Sequence, residues 1–72
     1  MEKTLFFENN ITDRVIYEVR EAMKENDVVN VSFSVIGRTC HQMLSCQLAE
    51  ILKDEFNFEI GYNYKCRVTK KR

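Results

Sequence analysis

Four side chains in this sequence have the chemistry to bind a metal or to act as nucleophile and base: Cys40, His41, Cys46 and Cys66. A zinc site needs such ligands to converge tetrahedrally. Residues from Thr39 to about Phe56 read as a helix, on which neighbours point about 100° apart and Cys40 and Cys46 about 240° apart. Cys40 falls in the apolar stripe of that helix, and Cys66 falls in the inward set of a strand. Both are accounted for as small hydrophobes. A cysteine nucleophile needs a histidine approaching from another element, whereas Cys40 and His41 are adjacent and diverge. No Ser-His-Asp grouping can be picked out. The sequence therefore assigns no catalytic residue, no metal ligand and no cofactor. His41, near the edge of the stripe, is expected to be a partly buried structural histidine.

Anion chemistry has better support. Gly37-Arg38-Thr39 joins a strand to a helix, whose free N–H groups and positive dipole end favour a bound phosphate. Gly37 permits an unusual backbone angle there, and Arg38 adds a cation. A second basic segment closes the chain. Residues 1–59 hold all 11 acidic residues against six basic ones, a balance of −5, and residues 60–72 hold five basic residues and no acid. An acidic body with a basic tail is a pattern of polyanion contact. The candidate phosphate contacts are Arg38, Lys65, Arg67, Lys70, Lys71 and Arg72.

The elements that must position these groups follow from periodicity. Leu5-Phe6-Phe7, ahead of the turn-forming Asn9-Asn10, predicts a strand over 4–8. Thr12 is a helix N-cap with Asp13 in the first turn, and Ile11 can staple onto Ile16. Val15, Ile16, Val19, Ala22 and Met23 then form the stripe of a helix ending near Asn26-Asp27. Over 28–36, Val29, Val31, Phe33 and Val35 alternate with Asn30, Ser32 and Ser34, which predicts a strand with one buried face. Thr39 with Gln42 makes a capping-box pattern. The stripe of the second helix is Cys40, Met43, Leu44, Leu48, Ile51, Leu52 and Phe56. Alternation returns over 58–68, with Phe58, Ile60, Tyr62, Tyr64, Cys66 and Val68 on one side and Glu59, Asn63, Lys65 and Arg67 on the other.

The expected fold is an α/β (α+β) two-layer domain, β-α-β-α-β, with a three-stranded sheet and two helices packed on one face. It spans 1–72 as one domain, with an ordered core of about 4–68 and a basic tail over 69–72. Val31, Phe33, Leu48, Ile51 and Ile60 should supply much of the core. A composition of 44% hydrophobic and 31% charged residues, with two Gly and no Pro, excludes a disordered chain. No apolar run reaches the roughly 18–20 residues needed to cross a bilayer, and the start lacks a signal-peptide pattern. Three cysteines cannot all pair within one chain. The expectation is a cytoplasmic protein without a membrane partner.

The stretch Val31-Ser32-Phe33-Ser34-Val35-Ile36-Gly37-Arg38, leading into a helix with Ala49-Glu50-Ile51-Leu52, resembles the Alba superfamily of small nucleic-acid-binding proteins. The likeness is one of pattern and element order and covers roughly Thr4 to Arg67. The C-terminal domain of bacterial initiation factor three is similar in topology. The Alba resemblance implies a dimer that binds DNA or RNA through a basic loop after the first strand and a basic hairpin arm. This sequence departs from it in two places: Asn9 and Asn10 stand where lysines are expected, and the chain ends where a fourth strand and arm should follow.

Two functions stay open at this point. One is a nucleic-acid-binding or regulatory module using the six cations above. The other is a protein–protein adaptor or inhibitor of viral or mobile-element origin, presenting Glu18, Glu21, Glu25, Asp27, Glu50, Asp54 and Glu55. A homodimer is expected as well, because a long edge strand over 58–68 would leave its N–H and C=O groups unpaired.

Overall fold

The computed structural model describes residues 1–61 and 65–71, with Arg38 described by its backbone only. Six elements follow one another: β1 (Glu2–Phe7), α1 (Asp13–Glu25), β2 (Val28–Phe33), α2 (Arg38–Leu52), β3 (Phe56–Ile60) and β4 (Cys66–Lys70). The sheet has four strands in the order β1-β2-β4-β3. β1 and β2 are parallel, and β4 runs antiparallel between β2 and β3.

The expected three-stranded sheet and its long last strand are thus corrected. Residues 58–68 are not one strand but the facing parts of a hairpin, closed by a bond from Gly61 N–H to the Lys65 carbonyl (3.1 Å). Ile60 lies opposite Cys66 and Phe58 opposite Val68. Because these partners are an even number of residues apart, alternation keeps its phase across the turn. A period-two pattern therefore cannot distinguish the hairpin from one straight strand. Tyr62, Asn63 and Tyr64 lie outside the described residues. Thr69 and Lys70, read above as the start of a tail, belong to β4 and pair with Asn57 and Phe56.

α1 forms as its local signals require. Thr12 Oγ1 accepts from the Val15 N–H (3.4 Å), and Asp13 occupies the first turn. At the other end Asn26 donates through its backbone N–H (3.0 Å) and its side-chain amide (2.9 Å) to the Ala22 carbonyl. Val15, Val19, Ala22 and Met23 are buried against the sheet, with Ile11 and Ile16 half-buried beside them. β2 ends at Phe33, short of the expected Ile36, where the Val35 N–H turns back to the Phe33 carbonyl (3.1 Å).

α2 departs most from expectation. Its N-cap is Gly37 rather than Thr39, without a side-chain cap, and it ends at Leu52 rather than near Phe56. It turns His41, Ser45, Leu48 and Leu52 to the sheet, while Cys40, Met43 and Ile51 face outward. Ile51, expected in the core, is 49% exposed. His41, expected to be partly buried, is fully buried. The two helices still share one face of the sheet. Val29, Val31 and Phe33 of β2 and Cys66 and Val68 of β4 meet α1 and α2 in one core.

Gly37 has φ 92° and ψ 142°, a conformation essentially reserved for glycine. No atom lies within 4 Å of where a β-carbon would stand. Gly37→Ala is therefore expected to cost about 1–3 kcal/mol from backbone strain alone, read as a lower midpoint in thermal unfolding. An unchanged midpoint would show that the turn relaxes freely.

Candidate functional site

The topology sorts the sheet's two ends. The C-terminal ends of β1, β2 and β3, the N-terminal ends of α1 and α2, and the start of β4 all fall at one end. The α1 N-terminus is occupied by Thr12 and Asp13, whereas α2 opens on Gly37 with no side-chain cap and no acidic residue in its first turn. The N–H groups of that first turn have no partner further back in the helix, so they are available to an anion.

Cys66 pairs with Val31, so Lys65 enters beside the last residues of β2, the strand that leads to Gly37 and Arg38. Arg67, one residue on, projects to the uncovered face of the sheet between Asn30 and Glu59. The backbone position of Arg38 and the residues Lys65 and Arg67 thus share one end.

Lys70 and Lys71 do not. Lys70 is five positions along the chain from Lys65, about 17 Å at the rise of a strand. Lys70 Nζ is 3.7 Å from Asp27 Oδ1. Lys71 Nζ donates to the Lys53 carbonyl at 2.7 Å, at the negative end of α2. Arg72 lies outside the described residues. The other five cations therefore separate into Arg38, Lys65 and Arg67 toward the open helix terminus, Arg38 by its backbone position, and Lys70 and Lys71 at the opposite end.

One residue escaped sequence reasoning. Phe6 pairs with Ser32 on the uncovered face and is 79% exposed. The signal was available: in Leu5-Phe6-Phe7, alternation forces the middle residue away from the two that pack inward. Its neighbours on that face are polar. Asn30 Nδ2 donates to Glu2 Oε2, and Glu59 lies opposite Arg67. Phe6 lies on β1, two strands across the sheet from Arg67 on β4, and an exposed aromatic ring is a surface on which a nucleic-acid base can stack.

The possible catalytic and metal-binding residues separate. Cys40 and Cys46 are exposed, while His41 and Cys66 are buried. Ser45 Oγ lies 3.4 Å from His41 Nδ1, and the Phe33 ring meets the imidazole edge-on with centroids 5.8 Å apart. Burial pushes the Cys66 thiol up to about 11, although a hydrogen bond from Ser45 pulls it back. A thiol held protonated in a closed core is a packing group. Among the described residues, no three His, Cys, Asp or Glu side chains are grouped to hold a metal.

The acidic helix surface is largely engaged within the chain. Glu55 takes a bidentate contact from Arg20 (2.6 Å at its shortest). Glu21 pairs with Lys24 (2.6 Å), Glu50 with Lys53 (2.8 Å) and Glu18 with Arg14 (3.7 Å). Asp27 faces the terminal ammonium (3.5 Å) as well as Lys70. No helix among the described residues is long and apolar enough to cross a membrane. Comparison with protein-family models, curated proteins and solved structures gives no match.

Proposed function

We propose that this chain is a small, non-enzymatic, cytoplasmic nucleic-acid-binding or regulatory module. The observation that carries the reading is the uncapped start of α2 at Gly37, at the sheet end where Lys65 and Arg67 enter. Arg38, Lys65 and Arg67 contact phosphates, the first-turn N–H groups of α2 add a neutral anion site, and Phe6 offers a stacking surface. Lys70 and Lys71 drop out of the contact set because they serve the opposite end. The fourth strand and the β3–β4 hairpin supply parts that the resemblance to Alba proteins requires, which supports the same reading. The adaptor reading loses ground, since most of its acidic residues already have basic partners.

Three phosphate contacts set a salt dependence. Each neutralised phosphate contributes about 0.9 to the logarithmic slope on duplex DNA and about 0.7 on a single strand. Affinity for a short oligonucleotide should therefore fall roughly 20- to 40-fold between about 50 and 200 mM salt. Fluorescence anisotropy should also show Lys65→Glu and Arg67→Glu each flattening the slope, with Lys71→Glu leaving it unchanged. Absence of binding to DNA and RNA at the lower salt overturns the reading. A slope flattened by Lys71→Glu but not by Lys65→Glu overturns the assignment of the site.

A further inference from the structure

Four of the six large hydrophobic side chains left exposed among the described residues lie along one line on the helix layer. They are Ile36 (96% exposed), Met43 (58%), Ile51 (49%) and Tyr17 (62%). Hydrophobes exposed singly are ordinary, but a row of them rimmed by polar residues marks an interaction site. The row follows from the topology. β3 is parallel to β2, so α1 and α2 both run back from the same end of the sheet, side by side on one face. Three hollows of about 600, 700 and 380 Å³ follow the line between them. Gln47 lines the first two, and Ile16 and Ile51 line the second and third, so the hollows form one furrow. Arg20 reaches Glu55, beyond the end of α2, and closes the furrow there.

We infer that this furrow docks an amphipathic helix of a partner protein, one whose apolar stripe is flanked by lysines and arginines. Backbone chemistry selects a helix. Both walls are helices whose N–H and C=O groups bond within the helix, so along its length the furrow offers only side chains. An extended segment lying there would leave its own backbone groups unpaired beside apolar residues, whereas a helix arrives with them paired. From Cys40 to Ile51 the α2 wall is about 17 Å long, which about three turns of a docked helix fill.

Charge selects the flanks. No Asp, Glu, Lys or Arg occurs from Thr39 to Ala49, in a chain that is 31% charged. Among the described residues, the charged groups of the first two hollows are Asp13 on the α1 wall and Glu50 on the α2 wall. Asp13 makes no salt bridge among the described residues. Glu50 holds Lys53, an exposed pair that exchanges at little cost. In the third hollow the charges are already matched, Arg20 by Glu55 and Lys24 by Glu21. An apolar floor with one acid on each wall is complementary to an apolar stripe with a cation on each side. A second copy of this chain would bring a rim that is likewise acidic.

The probe is a fluorescent peptide of about four turns, with leucines three and four residues apart and lysines on both sides of the leucine stripe. Under reducing conditions its anisotropy should saturate with added protein, and its circular dichroism should become more helical. Met43→Gln and Ile51→Gln keep the charge and a good helix former, and each should weaken binding about 5-fold or more. Both should keep the parent's circular dichroism. Thr4→Gln, on the uncovered face of the sheet, should bind like the parent. Glutamates in place of the peptide's lysines should weaken binding about 5-fold or more at low salt, with the difference shrinking as salt is added. The same composition with leucines at alternate positions should bind about 5-fold or more weakly. No saturation up to about 1 mM protein overturns the inference. Equal binding by the alternating peptide overturns the helix, and equal binding by the acidic peptide overturns the basic flanks. Binding unchanged in Met43→Gln and Ile51→Gln, or lost in Thr4→Gln, overturns the furrow. Sedimentation without peptide tests the other occupant: self-association that Met43→Gln abolishes would put a second copy in the furrow and overturn the foreign helix. No nucleic acid enters these measurements, so the inference stands or falls separately from nucleic-acid binding.

Discussion

Phe33→Ala should lower the free energy of unfolding by about 3–5 kcal/mol, the usual range for deleting a buried aromatic side chain. Phe33 ends β2 and is buried where the strand passes beneath the first turns of α2. Its ring lies 6.0 Å from Phe7 and 5.8 Å from His41, centroid to centroid. Truncation opens a cavity bounded by two strands and a helix, and a surround held in the β-ladder cannot close it. A 72-residue chain has a total stability of about 4–11 kcal/mol. The substitution therefore removes from about a quarter to all of that stability. Urea denaturation followed by circular dichroism measures this, and a midpoint equal to that of the parent would remove Phe33 from the core.

The second large effect is stability loss at high pH, arising from Cys66. Its thiol is pushed from 9.0 up to about 11 by burial, so the folded chain holds a proton that the unfolded chain releases earlier. Between those values the unfolded state binds fewer protons, and stability falls as pH rises. Below pH 9 the contribution is fully present; it is lost progressively up to about pH 11. Two pH units correspond to about 2–3 kcal/mol at most. Lysines and tyrosines titrate in the same region, so the useful quantity is a difference between proteins. Cys66→Ala should be destabilised at pH 7.5 by loss of the buried sulfur, yet lose less additional stability than the parent at pH 10.5. Parallel losses in the two proteins would show that Cys66 titrates normally.

Those two residues show how far reading the sequence reaches. Alternation in Val29, Val31 and Phe33 puts Phe33 inside, because a strand in a two-layer fold has one face toward the helices whatever its neighbours are. The inward position of Cys66 follows from the same rule and survives an error in topology. The candidate site was read less completely. Its strand–helix turn was marked by Gly37, but the list of six cations gave no sign that Lys70 and Lys71 belong to the other end. That division depends on the direction of β4 and on where Asp27 and the end of α2 come to rest.

What the sequence by itself determined is local. The Thr12 cap, the length and inward face of α1, the two faces of β2 and the glycine at the start of α2 depend on groups a few residues apart. Only the tertiary structure decided that 58–68 folds into a hairpin with β4 inside the sheet. Phase is conserved across the turn, and strand order depends on partners about 40 residues away. It also decided which side of α2 is buried. Small Ser45 sits over Cys66, letting the helix approach the sheet, where bulky Met43 would hold it off. Burial in a close-packed core rewards fit between surfaces as well as hydrophobicity, and fit belongs to the pair rather than to the helix.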